Sequence, residues 1–378
     1  MKVYFDNAAT TPLDEAVFEE MKPYMLNHFG NPSSIHSHGR QVRAAIEQAR
    51  KRVADLLNTS PSEIFFTSGG TEADNTAITS AVSTYDIKNI ISSPLEHHAV
   101  LHTIDHLEKH GLVKAHMLNV DASGNIDLHQ LEELLTEYPK SLVSLMHANN
   151  EIGNLNDLET IGTLCKNFDS LFHSDTVQSM AHYRHDLQKA NVDFMVGAAH
   201  KFHGPKGVGF LYVNHKRKIH PFMHGGAQER NMRGGTENVY GIIGLAKALE
   251  MAYANMDSHR RQIESVKAYA IERLKAEVPG VGFYGNSADL ENSLYTVLNV
   301  CLPPNEINDM LLFNLDISNI SVSGGSACSS GSNIGSHVLN AIGADPNKGA
   351  IRMSFSRYNN KQQVDYVVTK LADLFKRG

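Results

Sequence analysis

The stretch Ile64-Phe65-Phe66-Thr67-Ser68-Gly69-Gly70-Thr71-Glu72 joins a short apolar run to a glycine turn and a helical pattern. The run 64–67 has the length of a buried strand, and the apolar spacing beyond the turn predicts a helix through residue 82. Such a strand–turn–helix unit is typical of α/β proteins. The backbone N–H groups of the turn and the helix dipole then point at whatever lies before the helix, which favours an anion.

The glycines of this turn let the backbone come close to an anion and Thr71 adds a hydroxyl donor, so residues 68–72 are a candidate phosphate site. A plain helix cap formed by Thr71 explains the same residues equally well. The chain has no GxxxxGK[ST] motif, and Gly204-Pro205-Lys206-Gly207-Val208-Gly209 does not match GxGxxG. The P-loop and dinucleotide-binding interpretations are therefore excluded.

Outward from this unit, short apolar runs alternate with helical patterns over the first two thirds of the chain. The predicted strands are 64–67, 89–92, 114–118, 141–147, 171–175, 192–198 and 208–213. This alternation indicates a mostly parallel sheet with helices on both faces. The last strand is the exception, because the turn 204–207 is too short for a crossover and requires an antiparallel pair.

The pattern changes after residue 238. One long helical stretch is predicted over 239–277, and Pro279-Gly280 ends it. Beyond it, short strands and helices predict a smaller α+β unit, with elements near 294–300, 306–315, 320–323, 350–356 and from Gln362 onward.

The composition limits the class of protein. At 378 residues the chain is too long for one core of ordinary size, and its 42% hydrophobic and 20% charged residues are those of a globular protein. A formal net charge of −7 gives no basic excess for nucleic acid, and no apolar run approaches the roughly 20 residues that span a membrane. The N-terminus lacks the apolar core of a signal peptide, and Cys165, Cys301 and Cys328 are too widely spaced for a disulfide framework. We therefore expect a cytoplasmic enzyme with no nucleic-acid or membrane partner.

Two further predicted strands lead into residues that can carry chemistry. Strand 171–175 ends at Asp175, and strand 192–198 leads into His200-Lys201. The carboxyl ends of parallel strands are where α/β proteins build their sites. Each residue also has a plainer explanation, because Asp175 is suited to capping a helix and Lys201 to reaching solvent along its aliphatic stem.

A phosphate cradle, a carboxylate and a lysine at neighbouring strand ends are the groups that pyridoxal 5′-phosphate (PLP) requires. The lysine binds the cofactor as a Schiff base, the carboxylate keeps the pyridine nitrogen protonated, and the helix N-terminus holds the phosphate. The three motifs together therefore favour a PLP enzyme.

Twenty-one histidines raise the question of a metal site. His102, His106 and His110 lie at i, i+4 and i+8 on one helical stripe, but neither a carboxylate nor a cysteine completes a ligand set. Apolar residues define the opposite side of that helix, so we expect these three on a solvated face and no metal. His182 and His185 are also expected at the surface.

Eight short blocks carry a family resemblance: YFDNAATT (4–11), GNPSS (30–34), SGGTEADN (68–75), EHHAV (96–100), NNEIG (149–153), HKFHGPKG (200–207), RGGTEN (233–238) and SGGSACSSGS (323–332). In this order they resemble the NifS-like cysteine desulfurases, which belong to the class V aminotransferase group of fold-type I PLP enzymes. The resemblance covers essentially the whole chain. It implies a large α/β domain, 14–255, with a mostly parallel seven-stranded sheet, and a smaller α+β domain, 1–13 with 256–378, that carries the Cys328 loop.

Carried over residue by residue, the resemblance implies how the cofactor is held. Lys201 would form the Schiff base, Asp175 would pair with the pyridinium nitrogen, and Gln178 would hydrogen-bond the ring hydroxyl. His97 would stack on the ring and transfer protons. The residues expected at the phosphate are Gly70, Thr71 and His200, with Thr236 reaching in from the partner subunit of a homodimer.

The resemblance also implies the substrate and the reaction. Asn150 would contact both cofactor and substrate, and Arg352 would bind the carboxylate of L-cysteine. Lys201 or His97 would remove the α-proton, and Cys328 would take the sulfur as a persulfide for iron–sulfur cluster or other thio-cofactor assembly. A sulfur-acceptor or scaffold protein would be a transient partner.

The residues around Cys328 support this role independently. A glycine- and serine-rich segment predicts an exposed loop, where a thiol of pKa near ~8.5 is partly ionised and nucleophilic. An incidental surface cysteine is the plainer explanation. Cys165 and Cys301 lie in apolar patterns and are expected in the core.

One position departs from the family pattern, because Ala198 stands where the family usually has a serine two residues before the His-Lys pair. A phosphate hydroxyl is therefore missing. The alternative functions are a class V aminotransferase or selenocysteine lyase acting on a small amino acid, and a non-enzymatic scaffold that binds the cofactor. Cys328 discriminates against transamination, which has no need of a thiol.

Overall fold

The structure is a computed structural model that describes residues 1–324 and 335–376. The helices in these ranges are α1 (Glu15–Leu26), α2 (Ser37–Leu56), α3 (Gly70–Tyr85), α4 (His98–Lys109), α5 (Leu128–Glu137), α6 (Leu158–Asn167), α7 (Val239–Ala254), α8 (Met256–Glu277), α9 (Leu311–Ile317), α10 (His337–Ala341) and α11 (Lys361–Lys376). The strands are β1 (Val3–Tyr4), β2 (Ile64–Thr67), β3 (Asn89–Ser92), β4 (Lys114–Met117), β5 (Leu142–Ser144), β6 (Leu171–Asp175), β7 (Phe194–Ala198), β8 (Gly209–Val213), β9 (Gly282–Phe283), β10 (Val297–Leu302), β11 (Ile320–Ser321) and β12 (Gly349–Ser354).

The central sheet has seven strands in the order β2-β8-β7-β6-β5-β3-β4. Strands β3 to β7 run parallel to one another, whereas β8 is antiparallel to both of its neighbours, β7 and β2. All residues of β6 and β7 are buried, because helices cover both faces of the sheet. This explains why these strands are apolar runs without alternation. The predicted α/β fold, its seven-stranded sheet and its antiparallel strand are confirmed.

A second apolar core lies beside this sheet. Its strands form a three-stranded sheet in the order β12-β10-β9, and helices α8 and α11 pack against each other. Residues Val3 and Phe5 belong to this core, and β1 pairs in parallel with β11. The first residues of the chain therefore pack with its last third. The division into domains 14–255 and 1–13 with 256–378 stays a prediction.

Two expectations are wrong. The predicted single helix 239–277 is two helices, α7 and α8, which meet at Asn255. His182 and His185 are not surface residues, because both side chains are largely enclosed, and burial lowers the pKa of each to about 3. The exposed stripe of His102, His106 and His110 is found as predicted.

Cys165 and Cys301 are buried thiols, as expected. No helix in the described ranges combines the length and hydropathy needed to cross a membrane. Within residues 1–324 and 335–376, no group of three or more His, Cys, Asp or Glu side chains is arranged to hold a metal ion.

Candidate active site

A cavity of about 270 Å³ lies where β6 and β7 end. This volume is close to the lower end of the roughly 300–1,000 Å³ typical of ligand pockets. Nine of the eleven predicted site residues line it: Gly70, Thr71, His97, Asn150, Asp175, Gln178, His200, Lys201 and Arg352. A larger groove of about 760 Å³ lies near the opposite ends of these strands, and none of those nine residues lines it.

The N-terminus of α3 forms one part of the cavity wall. Helix α3 begins at Gly70, and its N-cap residue Gly69 offers no side-chain hydrogen bond. Thr71 therefore lies in the first turn, which contradicts the alternative in which it caps the helix. The first N–H groups of an uncapped helix have no partner within the helix and suit a phosphate. A Cβ on Gly70 would lie 2.7 Å from Cγ2 of Val177, so only glycine lets the helix start this close to the residues that follow β6.

Lys201 and Asp175 lie on neighbouring parts of the cavity. The Lys201 Nζ donates to the carbonyl oxygens of Ala8, at 2.6 Å, and Ala9, at 2.9 Å. The buried Asp175 accepts the Val177 N–H at 2.8 Å through Oδ1, but no α-helix follows, so it caps a turn rather than a helix. The Gln178 amide also donates to the Ala8 carbonyl, at 2.9 Å. The segment around Ala8 thus holds two predicted site residues in place.

His97 is the N-cap residue of α4, which fixes its ring. Its Nδ1 accepts the N–H of Ala99 at 3.1 Å, so the proton of the neutral ring lies on Nε2. Burial lowers the pKa of His97; Asp175 opposes this shift and Lys201 adds to it. Burial also lowers the pKa of His200, to about 4. Both rings are therefore neutral at pH 7.

Arg352 reaches the cavity from β12 and is only 1% exposed. Its Nη1 donates to the Asn150 carbonyl and its Nη2 to Asp6 Oδ1, both at 3.0 Å. Its Nε is buried without a hydrogen-bond partner. A buried guanidinium with unused N–H donors is suited to a ligand carboxylate.

A buried row of polar side chains that the sequence did not lead us to expect lies beside Asp175. Asp74 lines the cavity, and its Oδ1 lies 3.3 Å from Nε2 of the fully buried His173. The Nδ1 of His173 lies 2.8 Å from the Ser144 hydroxyl. Burial raises the pKa of Asp74 well above its usual value, with Asp175 and Glu96 acting in the same direction, and burial lowers the pKa of His173 to about 3. Burial therefore favours the neutral forms of Asp74 at the cavity wall and of His173 beside it.

The two remaining predicted site residues are Thr236 and Cys328. Thr236 is exposed and lines a separate pocket of about 120 Å³ with Ser68 and Arg233. Its predicted role is on a partner subunit. Cys328 lies outside the described residues, which stop at Gly324 and resume at Gly335.

The sequence matches the family model for class V aminotransferases over residues 3–367. The chain belongs to the class V aminotransferase family. Among curated members, it is 42% identical to "Cysteine desulfurase IscS" of Dictyoglomus turgidum, covering 100% of this chain and 95% of the relative. It is 41% identical to "Putative cysteine desulfurase IscS 1" of Bacillus subtilis, covering 100% and 99%.

Solved structures agree with this family assignment. A "NIFS-LIKE PROTEIN" superposes with a TM-score of 0.92 at 38% identity and covers all of both chains. A structure described as "SspA in complex with cysteine" superposes with a TM-score of 0.82 at 34% identity, covering 95% of this chain and all of the other. The resemblance to NifS-like proteins and the fold-type I architecture are thereby confirmed.

Class V aminotransferases use PLP, and the cavity of this family member fits that cofactor. The uncapped start of α3 suits the phosphate, and the buried Asp175 suits a protonated ring nitrogen. Lys201 lies on the same cavity.

Proposed function

We propose that this class V aminotransferase is a PLP-dependent cysteine desulfurase, which converts L-cysteine to L-alanine and transfers the sulfur to Cys328. The observation that carries the proposal is one cavity lined by Lys201, Asp175, Arg352 and the uncapped N-terminus of α3. The full-length relatives named as cysteine desulfurases, at about 40% identity, support the choice of reaction.

Different residues would bind different parts of PLP. Asp175 would face the ring nitrogen, Gln178 the ring hydroxyl, and His97 the ring face. The phosphate would meet the first turn of α3 together with Thr71 and His200. When bound, PLP withdraws electrons from the α-carbon of an amino acid.

Lys201 and His97 are the proposed proton-transfer groups. His97 uses Nδ1 to accept the Ala99 N–H, so only Nε2 can exchange a proton with the substrate. The amine of Lys201 can take a proton when it is neutral. Positioned proton transfer of this kind contributes typically ~10²–10⁴-fold to the rate.

Arg352 is the proposed binding group for the substrate carboxylate. The guanidinium is buried and its Nε has no hydrogen-bond partner, so a carboxylate would satisfy a donor that is otherwise unpaired. Asn150, whose carbonyl holds Nη1, lines the same part of the cavity. The amino acid would thus be fixed by its carboxylate between the two residues.

Cys328 is the proposed sulfur acceptor within the chain. Its thiolate attacks the substrate sulfur, the Cβ–S bond breaks, and a proton replaces sulfur on Cβ. One L-cysteine and one thiol give one L-alanine and one persulfide, so no oxidant or reductant is needed. The persulfide would then pass to an acceptor or scaffold protein for iron–sulfur cluster or other thio-cofactor assembly.

The proposed assembly is a cytoplasmic homodimer. Thr236 is exposed beside a pocket of its own subunit, where it is available to meet the phosphate of a second subunit. The two cores of the chain support the proposed division into a large domain, 14–255, and a small domain, 1–13 with 256–378.

The test is one assay of the purified protein with PLP, L-cysteine and a reductant, in which alanine and sulfide are quantified together. We expect equal amounts of the two products. Cys328→Ala should still bind cysteine but form neither persulfide nor sulfide. Cys301→Ala is the matched control, because this thiol is buried in β10 and should be dispensable for turnover.

Two outcomes would contradict the proposal. Wild-type sulfide yield from Cys328→Ala would remove this thiol from the mechanism. Absence of both products from a protein that binds PLP would favour transamination, and amino-group transfer to a keto acid would then be measured.

A further inference from the structure

The Arg352 guanidinium is paired with a residue from the start of the chain. Asp6 Oδ1 accepts from Nη2 of Arg352 at 3.0 Å. The Arg352 side chain is 1% exposed and that of Asp6 is 20% exposed, so water screens this ion pair weakly. Asp6 does not line the cavity, and therefore it meets the guanidinium from outside the substrate space.

The carboxylate of Asp6 is itself fixed. The Ser323 hydroxyl donates to the same Oδ1 at 2.7 Å. Ser323 and Arg352 are also joined through their backbones, because each N–H donates to the carbonyl of the other, at 3.2 Å and 2.6 Å. Asp6, Ser323 and Arg352 therefore form a closed triangle of contacts that holds the guanidinium plane.

This triangle decides which donors of Arg352 remain for a ligand. A guanidinium has five N–H groups in one plane. The Asn150 carbonyl takes one from Nη1 and Asp6 takes one from Nη2, which leaves the Nε–H and one N–H on each terminal nitrogen. Because both ends of the guanidinium are held, a substrate carboxylate meets donors that are already oriented.

We propose that Asp6 is a positioning residue for recognition of the substrate α-carboxylate, acting through Arg352. The inference rests on the proposed function, since it requires an amino-acid substrate bound by its carboxylate. Asp6 also carries a negative charge near that carboxylate, which opposes binding. The orientation that Asp6 gives the guanidinium outweighs this repulsion.

The test compares L-cysteine with L-cysteinamide, which lacks the charged carboxylate. Asp6→Asn keeps the shape of the side chain but removes its charge. We expect kcat/KM for L-cysteine to fall about 10- to 100-fold, mainly through a higher KM, because a charged hydrogen bond to the guanidinium is lost. We expect kcat/KM for L-cysteinamide to change less than about threefold. The preference, which is the ratio of kcat/KM for L-cysteine to that for L-cysteinamide, should therefore fall.

Two further variants separate positioning from a structural role. Ser323→Ala keeps the ion pair and removes one hydroxyl, so the preference should fall about two- to tenfold. Tyr4→Phe is the control, because the Tyr4 hydroxyl donates to the backbone carbonyls of Asp6 and Thr10 and not to the Asp6 carboxylate, so its loss should leave the preference unchanged. If Asp6→Asn does not fold, Ser323→Ala decides the question.

Two outcomes would overturn the inference. Equal losses for both substrates would mean that Asp6 only supports the fold. A lower KM for L-cysteine in Asp6→Asn would mean that repulsion outweighs orientation. Failure of the proposed function is distinguishable, because the wild-type protein would then produce neither alanine nor sulfide from L-cysteine.

Discussion

The two sides of the cavity are built in different ways. The side proposed to hold the cofactor, called the cofactor side, consists of residues 70–74, 175–178 and 198–201, which lie at the ends of adjacent strands of one sheet and of the helix α3 beside them. The side proposed to bind the substrate, called the substrate side, is formed by Arg352, which is held from outside the cavity by Asp6, 346 positions away in the chain. The cofactor side therefore depends on the local geometry of β6, β7 and α3, whereas the substrate side depends on packing between the beginning and the last third of the chain.

The two sides also differ in charge. Beside the cofactor side, burial holds Asp74 and His173 toward their neutral forms. On the substrate side, Arg352 forms an ion pair with Asp6. Substitutions and pH should therefore act differently on the two sides.

The largest expected effect is on the cofactor side. Lys201→Ala removes the amine that lies beside Asp175 and His97 on the cavity, and we expect turnover to fall by about 10²- to 10⁴-fold. Alanine and sulfide formation provide the measurement. Lys206→Ala, an exposed lysine of the following turn, should retain wild-type turnover. If Lys201→Ala is as active as Lys206→Ala, Lys201 is not the lysine that binds the cofactor.

The second expected effect is on stability in acid. Burial lowers the pKa of His173, His182 and His185 to about 3, whereas an unfolded histidine has a pKa near ~6.5. Below pH 6.5 the unfolded chain binds protons that the folded chain does not, so the free energy of unfolding falls as the pH falls. Each histidine contributes up to about 1.4 kcal/mol per pH unit.

Urea denaturation between pH 7.5 and 5 measures this dependence. His173→Gln should reduce the slope of stability against pH, while His106→Gln, an exposed histidine, should leave it unchanged. If the free energy of unfolding depends on pH equally in both variants, the buried His173 does not resist protonation in the folded protein.

The smallest expected effect concerns Ala198, which is 1% exposed and lines the cavity next to the start of α3. Ala198→Ser adds a hydroxyl donor toward the proposed phosphate position. One added hydrogen bond should tighten PLP binding to the apoprotein about two- to tenfold. A fluorescence titration with PLP gives the dissociation constant. Ala198→Cys has a similar size but donates weakly, and an equal gain in that variant would assign the effect to packing.

Local patterns in the sequence predicted most of the sheet and of the cofactor side. The antiparallel strand β8 was predicted from the shortness of turn 204–207. Asp175 was predicted as a site residue because it ends a buried strand, and Lys201 because it follows one. The break between α7 and α8 could not be predicted, because Asn255 is neither glycine nor proline and helical spacing continues across it. Packing explains it, since α7 contacts α1 and α2 whereas α8 contacts α11.

The burial of Asp74 has a signal in the sequence. Asp74 shares a helical stripe of α3 with Ile78 and Ala81, which are both fully buried, so a carboxyl at this position had to be enclosed. Asp6 had no such signal. Its partners Ser323 and Arg352 are brought to it only by tertiary packing, and no spacing in the sequence indicates the contact.

The long separation of Asp6 from its partners has a consequence for synthesis of the protein. Ser323 is made 317 residues after Asp6, and at about 5–20 residues per second a nascent chain waits about 15 s to one minute for it. All strands of the central sheet lie between residues 64 and 213 and emerge much earlier. The substrate side is therefore completed last on the ribosome, when the sheet that forms the cofactor side is already available to fold.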